Sequence, residues 1–526
     1  MRTSDRMGGM AEVPRSTPVG VVGAGTMGAG IAQVAVVAGH RVRLYDALDG
    51  AAARGVAQIH ARLDRLVEKE RMTAAAAADA KARLEAADTL DTLAPCGLVV
   101  EAIVEQLPAK RELFAALEKV CADTAVLATN TSTLSVTAIA SGLQHPGRVT
   151  GMHFFNPAPL MALVEVPAGA TTDPEVAATV AATATAWGKT PVRCASTPGF
   201  VANRVARPFY GEAMEVLEQG GADCATIDVV LREAGGFPMG AFELADLVGN
   251  DVNLAVGRSV WEQTFGDPRY APFVAQQQVV DAGWLGRKTG RGWYAYDGSE
   301  RPRPQTAEAR PAPERVTYHG GFSACYGLLD RIADSGVSVE RYDTGPAGRR
   351  AGSGEFEPGE SAYGIELPSG GLVLETLGEP ATVDGDAVAL DWVGDAATAS
   401  RVCLAPSDTC EAATLDEAVG MFQAAGLTVS VIDDIPALIV ARTISMLVNE
   451  AVDLVARREA AAEDVDAAMR LGTGYPQGPL AWGDRIGPGV VAEVLTTLAR
   501  ARPGGRYRPS PLLVRAAHTG RPLRAL

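Results

Sequence analysis

From Pro198 the chain reads PGFVANRVARPFYGEAMEV, and from Pro436 it reads PALIVARTISMLVNEAVDL; the two runs continue in register, without a gap, through Gly249 and Gly487. The displacement is a constant 238 residues (436 less 198), and it pairs Arg204 with Arg442, Glu212 with Glu450, Asp228 with Asp466, Pro238 with Pro476, Gly240 with Gly478 and Asp246 with Asp484. An internal repeat of this length constrains the fold more than composition does, because both copies must build one supersecondary design. FVANRVARPFYGEAMEVLEQ reads as an apolar helix, and its counterpart in the second copy reads with it. Two all-helical domains are therefore expected, at 198–298 and 436–526.

A second repeat precedes each helical copy. VGVVGAGTMGAGIAQVAVVAGHRVRLYD, from Val19, aligns with VTYHGGFSACYGLLDRIADSGVSVERYD, from Val316, displaced by 297 (343 less 46) and pairing Gly23 with Gly320, Gly39 with Gly336 and Asp46 with Asp343. The copies diverge where it matters: Gly25 becomes Phe322 and Gly28 becomes Cys325. The second region is also expected to be shorter, since its displacement exceeds that of the helical repeat by 59 (297 less 238). The resulting plan is a disordered tail at 1–17, an α/β domain at 18–197, the first helical domain, a linker with a degenerate copy of the α/β region at 299–435, and the second helical domain. DGSERPRPQTAEARPAPERV reads as a Pro/Arg-rich linker and GPAGRRAGSGEFEPGESAYG as a mobile loop.

In the first copy an apolar strand ends on Gly23, Gly25 and Gly28 of a G-x-G-x-x-G turn, with Thr26 and Met27 between the last two glycines, and a helix follows. That is the context in which such glycines carry meaning. They permit a tight turn, close approach of backbone to a pyrophosphate, and close packing of helix on strand, with phosphate at the positive helix end. Asp46 ends the next strand, 21 residues after Gly25 (46 less 25). A carboxylate there accepts from adenosine ribose hydroxyls and repels a 2'-phosphate, so NAD is favoured over NADP. Further strands at GLVVEAI and TAVLATNTS, separated by helical stretches, indicate a doubly wound parallel sheet of Rossmann type. Its ligands lie beyond the carboxyl ends of the strands, where Glu105, Lys110, Asn130 and Ser132 fall.

GMHFFNPAPLMALVEV places one carboxylate, Glu165, in an otherwise apolar run, twelve residues after His153 (165 less 153). A buried carboxylate without a partner would cost several kcal/mol or neutralise itself. His153 is the nearest candidate partner, and a histidine titrates where a general base is useful. Asn203 lies inside an apolar helix, where asparagine is a poor helix former and calls for a polar partner. In the second copy these positions map to Asp391, Cys403 and Ala441, so one active site is expected, in the first half.

Taken together, GAGTMGAG, ATNTSTLS, GMHFFNPAPLMALVEV and TPGFVANRV resemble the 3-hydroxyacyl-CoA dehydrogenase family from Val19 to about Tyr296. The resemblance implies NAD-dependent oxidation of (S)-3-hydroxyacyl-CoA thioesters, with His153 as base, Glu165 as its orienting partner, and Ser132 and Asn203 bonding the reacting oxygen. It implies further that Glu105, Lys110, Asn156 and Lys288 line the cofactor side and that Lys69 contacts CoA. The two-copy layout is similar to bacterial forms acting on 3-hydroxybutyryl-CoA or, in aromatic catabolism, on 3-hydroxyadipyl-CoA. In single-copy members the helical domain dimerises, which implies an internal pseudo-dimer here, with a homodimer of whole chains also open. Two rivals are a dehydrogenase of a free hydroxy or sugar acid and a non-catalytic dinucleotide-binding protein. Intact His153, Glu165, Ser132 and Asn203 argue against the latter.

The formal net charge of −16, with no basic block, argues against nucleic acid and anionic membrane as partners. No stretch offers 18 uninterrupted apolar residues. Seven cysteines scattered without a C-x-x-C pair read as reduced, buried thiols, with no metal site. A cytoplasmic enzyme is expected.

Overall fold

Short β-branched runs make the first sheet. Strands β1 (Val19–Val22), β4 (Leu98–Glu101) and β5 (Val126–Thr129) are buried along their whole length. That pattern belongs to parallel strands covered on both faces. With β2 (Val42–Tyr45), β3 (Leu84–Ala87) and β6 (Val149–Gly151) they form a six-stranded sheet in the order β3-β2-β1-β4-β5-β6, every pair parallel. The strand order reverses between β1 and β4, and the crevice at such a switch point is where dinucleotides lie. A second sheet joins β7 (His153–Phe154), β8 (Leu163–Ala168) and β9 (Thr190–Ala195), with His153 directly opposite Glu165.

This computed structural model describes residues 11–342 and 363–526. Residues 1–10 of the expected tail, Asp343 and most of the expected mobile loop lie outside the described residues. The remainder of the tail is anchored at one residue: Val13 is 6% exposed and its N–H donates to Thr183 Oγ1 at 3.0 Å. Residues 11–17 thus correct the expected boundary, because one buried valine with a satisfied backbone is enough to hold a short segment.

The degenerate region does fold as a sheet, but not a doubly wound one. Strands β10 (Arg315–Gly320), β11 (Ser338–Arg341), β12 (Gly364–Glu366), β13 (Leu372–Glu375), β14 (Ala387–Leu390), β15 (Arg401–Pro406) and β16 (Thr428–Val431) form one sheet in the order β11-β10-β12-β13-β14-β15-β16. Its β10–β12, β12–β13 and β14–β15 pairs are antiparallel. The β12–β13 pair is joined by a short antiparallel connection, where a parallel pair would need a longer crossover.

The chain divides into two units, one reaching to Arg204 and including Arg458–Thr473, the other comprising Val205–Arg457 with Gly474–Leu526. The division does not follow the repeat boundaries, since a helix from each copy covers the sheet of the other. In the first unit the helix Ala462–Gly472 buries Val465, Ala468 and Met469 and packs on β8 and β9, and the Ala195 N–H donates to Glu459 O at 2.7 Å. In the second unit the corresponding helix, Cys224–Glu233, packs on β15, and the Asp433 N–H donates to Gly221 O at 3.2 Å. These are the same hydrogen bond, with both partners displaced by 238.

Charged pairs inside the second unit repeat the exchange. Glu450 accepts from Arg269 at 2.9 Å and from the Tyr270 hydroxyl, while Glu212 accepts from Arg506 at 2.8 Å and the Tyr507 hydroxyl at 3.0 Å. Both carboxylates are fully buried. Ions so deeply placed persist only when well paired and hydrogen-bonded.

Candidate active site

The glycine turn after β1 has the shape of a phosphate cradle. Gly23 adopts φ +100°, and a Cβ there would lie 2.5 Å from Ala102 O; a Cβ on Gly28 would lie 1.8 Å from Gly23 O. Neither position admits a side chain. At Gly25 a Cβ would meet nothing within 4 Å, so the open space beside its backbone is on the ligand side. The helix Thr26–Val37 begins with no side-chain cap and no acid in its first turn, which leaves the N–H groups around Thr26, Met27 and Gly28 for an anion. Asp46 braces this turn, its Oδ2 accepting from the Ala24 N–H at 2.7 Å and its Oδ1 from the Leu48 N–H at 2.9 Å. Each oxygen keeps a second lone pair for an external hydroxyl. These residues fit the pyrophosphate and adenosine ribose of NAD.

Behind the cradle lies a network the sequence reading did not resolve. Glu101, at the end of β4, is 0% exposed; it accepts from Lys110 Nζ at 2.6 Å, from the Thr129 hydroxyl at 2.7 Å and from the Ile103 N–H at 2.7 Å. Lys110 is equally enclosed and also contacts Glu105 at 3.2 Å. Its ammonium therefore faces these two carboxylates. Glu105 Oε1 accepts from the Thr131 hydroxyl at 2.6 Å and from the N–H groups of Ser132 at 3.0 Å and Thr133 at 3.1 Å. Burial alone would raise the Glu105 carboxyl, but the Lys110 charge and these hydrogen bonds outweigh it and hold it below the usual carboxylate range. Lys110 and Glu105 thus fix the loop that carries Ser132. The clue in the sequence was an acid closing the apolar strand LVVE.

Two strands deliver the chemistry. The Phe154 N–H donates to Asn130 Oδ1 at 2.8 Å, tying β7 to the end of β5. His153, 6% exposed, lies between the rings of Phe155 and Phe200, with centroids at 4.7 and 5.8 Å. Its Nδ1 is 2.7 Å from Glu165 Oε2. Glu165 is 0% exposed, and its other oxygen accepts from the N–H groups of Val201 at 3.1 Å and Ala202 at 2.8 Å. An ionised carboxylate only accepts, so Nδ1 carries the proton, and in the neutral imidazole Nε2 then presents a lone pair. Asn203 follows directly on the residue that anchors Glu165.

The remaining expected positions are Asn156, Lys69 and Lys288. Asn156 is exposed on the turn after β7, and Lys69 is exposed where the helix Ala51–Glu68 ends. Lys288 belongs to the second unit, where it pairs with Asp251 at 2.5 Å.

Among the described residues, the second copy lacks both the open glycine cradle and the histidine–glutamate pair. Phe322 is 0% exposed at the place of Gly25, and the N–H groups of Ser323, Ala324 and Cys325, counterparts of Thr26, Met27 and Gly28, donate to the Glu375 carboxylate at 2.8–3.2 Å. The chain's own carboxylate has taken the place of a phosphate. Asp391, at the His153 position, accepts from the N–H groups of Ile439, Val440 and Ala441 at 2.7–2.9 Å. Ile439 and Val440 correspond to Val201 and Ala202. The anchoring half of Glu165's role therefore survives in the second copy, supplied from the neighbouring strand, and the imidazole is gone.

Residues 18–197 match the family described as 3-hydroxyacyl-CoA dehydrogenase, NAD binding domain; residues 199–296 and 438–525 match its C-terminal domain, and residues 373–436 match a 3-hydroxybutyryl-CoA dehydrogenase reduced Rossmann-fold domain. The chain is 39% identical over 498 residues to the 3-hydroxyadipyl-CoA dehydrogenase of Escherichia coli K12, covering 94% of this chain and 96% of that one. It is 38% identical to the 3-hydroxybutyryl-CoA dehydrogenase of Bradyrhizobium diazoefficiens, which matches 56% of this chain over 98% of its own length. A crystal structure of 3-hydroxybutyryl-CoA dehydrogenase from E. coli K12 superposes with a TM-score of 0.84 at 37% identity, covering 96% of this chain and 99% of that one.

Proposed function

Because this chain belongs to the 3-hydroxyacyl-CoA dehydrogenase family, we propose that its first half oxidises an (S)-3-hydroxyacyl-CoA to the 3-oxoacyl-CoA, with His153 as the base. The observation that carries the assignment of roles is the 2.7 Å contact between His153 Nδ1 and a buried Glu165 that two backbone N–H groups hold in place. Bound NAD supplies the nicotinamide ring that accepts the hydride leaving the carbinol carbon. His153 Nε2 takes the hydroxyl proton, a contribution of about two to four orders of magnitude in rate. Glu165 keeps the ring in the correct tautomer and balances the imidazolium charge. The Ser132 hydroxyl and the Asn203 amide align the reacting oxygen, at roughly two to three orders of magnitude for one such donor. Asp46 selects NAD over NADP.

The two helical copies act as an internal pseudo-dimer in this reading. The reciprocal pairs of Arg269 and Tyr270 with Glu450, and of Arg506 and Tyr507 with Glu212, support it, and covalent linkage gives such an association a high effective concentration. Work in the cytoplasm is part of the same proposal; seven unpaired cysteines support it. No helix among the described residues is long and apolar enough to cross a membrane. The test is loss of NADH absorbance on addition of acetoacetyl-CoA, abolished in His153→Ala; full activity in that variant would overturn the assignment.

A further inference from the structure

Glu459 belongs to the segment Arg458–Thr473 of the second copy, which packs within the first unit. Three contacts tie it to the stretch of chain around the end of β9. Its carbonyl accepts from the Ala195 N–H at 2.7 Å, and its Oε2 accepts from the Thr197 hydroxyl at 2.9 Å and from Arg204 Nη1 at 2.5 Å. Arg204 is 2% exposed and the Glu459 side chain 12%. These charge-assisted bonds therefore act largely out of water, where they are strong.

Thr197 and Arg204 bracket the residues on which the histidine depends. Between them the Val201 and Ala202 N–H groups hold Glu165, the Phe200 ring lies 5.8 Å from that of His153, and Asn203 adjoins Arg204. Gly199 and Phe200 both adopt the left-handed region, at φ +77° and +47°. Phenylalanine rarely takes that conformation, and the contacts around it must fix it. A Cβ on Gly472, at the end of the helix Ala462–Gly472, would lie 3.5 Å from Phe155 Cε1 and 3.6 Å from Ala202 Cβ. The same segment thus also backs the second ring beside His153.

The repeat provides a comparison within one molecule. The displacement of 238 puts Gly221 at the place of Glu459, Ile435 at that of Thr197 and Arg442 at that of Arg204. In the second unit the backbone bond persists, from the Asp433 N–H to Gly221 O, and so does the left-handed turn, at Ala437 and Leu438. Ile435 occupies the space instead, since a Cβ on Gly221 would lie 2.5 Å from its Cδ1. Arg442 stays 1% exposed with no acid at that place. Packing of helix on sheet, the strained turn and a buried arginine are all met there without an acid, and the acid with its hydroxyl donor occurs only beside the histidine.

We propose that Glu459 is a positioning residue for the dehydrogenase reaction, supplied by the copy that lacks the histidine. It holds Thr197 and Arg204 so that the residues between them keep Glu165, and through it His153, in place. The inference rests on the reading above of His153 as the base.

Its test uses the full chain and the reduction of acetoacetyl-CoA, with the stoichiometry of NADH binding, read by NADH fluorescence, counting the folded cradles in each sample. Glu459→Gln keeps an acceptor oxygen for both donors and should retain kcat per NADH-binding site within about fivefold. Glu459→Ala removes that oxygen, and kcat per site should fall by about 10- to 100-fold while the KM for NADH stays within about twofold. The split is expected because a displaced catalytic group slows the chemical step and leaves the cofactor cradle as it was. A merely structural acid would change the number of binding sites and not the turnover at each. Thr197→Val removes one donor and should lower kcat per site by about 3- to 10-fold; it decides the matter if Glu459→Ala binds no NADH. Unchanged turnover per site in the deciding variant, or equal losses in the alanine and glutamine variants, overturns the positioning role. A wild type that binds NADH but reduces no acetoacetyl-CoA overturns instead the function on which it rests.

Discussion

Replacing Glu165 by glutamine separates the two roles the structure gives that carboxylate. The wild-type group accepts three hydrogen bonds, one from His153 Nδ1 at 2.7 Å and two from backbone N–H groups at 3.1 and 2.8 Å. Glutamine has nearly the same shape, and its amide oxygen can keep both backbone bonds. Its NH2 then faces His153, which must accept through Nδ1 and carry its proton on Nε2. Folding stability should fall by only about 1–2 kcal/mol, since charged hydrogen bonds become neutral ones. Turnover should fall by about 10² to 10⁴, because the base is held in the wrong tautomer and the imidazolium loses its counter-charge; that is roughly 3–5 kcal/mol in the barrier. Glu165→Ala should behave differently. It strands two buried N–H groups at about 1–3 kcal/mol each and opens a cavity, so it should lose roughly 3–6 kcal/mol of stability. Asp391→Asn, at the anchor of the second copy, should cost about 1–3 kcal/mol of stability with kcat unchanged. Stability is read by urea denaturation and turnover by NADH absorbance with acetoacetyl-CoA. Retention of more than about a tenth of wild-type kcat by a folded Glu165→Gln would refute the reasoning.

Asp46→Asn should keep only one of its bonds to the Ala24 and Leu48 N–H groups, since an amide has a single acceptor oxygen, and lose the charge, lowering kcat/KM for NADH by about 10-fold or more and narrowing the preference over NADPH. Burial raises the Asp391 carboxyl to about 6 even against its hydrogen bonds from Val440, Ala441, Ile439 and Trp392. The folded value exceeds the unfolded one, so the associated stability is present below about pH 4 and is lost as pH rises to about 6, by roughly 3 kcal/mol at 1.36 per unit. The penalty of Asp391→Asn in urea melts should accordingly shrink over that window; a penalty that grows with pH would contradict the sign. Truncation after Gly298 leaves Glu212, Arg269 and Tyr270 without their buried partners, and the fragment should self-associate or precipitate in sizing chromatography; a stable, fully active monomer would sink the pseudo-dimer.

Much of the fold was legible because its signals are local. A glycine turn between strand and helix, with an acid closing the next strand, occupies fewer than 30 consecutive residues, and each residue type answers a steric or electrostatic demand on the spot. Glu165 stood out since a carboxylate in an apolar strand must be compensated, and one antiparallel pairing puts His153 opposite it. Lys288 is a different case: its ammonium pairs with Asp251 in the second unit, and nothing in the run GRKTGRG signals that contact. The role of Glu101 is not legible from its own strand, because its partners, Lys110 and Thr129, lie on separate elements.

What the sequence by itself determined was the kind of structure and the kind of chemistry: two copies of one design, a single intact cradle, and one histidine with an acid in register. These follow from backbone sterics and from the cost of burying charge, which act over a few residues. Only the tertiary structure decided which copy each helix covers, that Glu375 fills the second cradle, and that Asp391 inherits the anchor of Glu165. Each depends on groups tens to hundreds of residues apart meeting within hydrogen-bond distance, and only the packing of the whole chain brings them there.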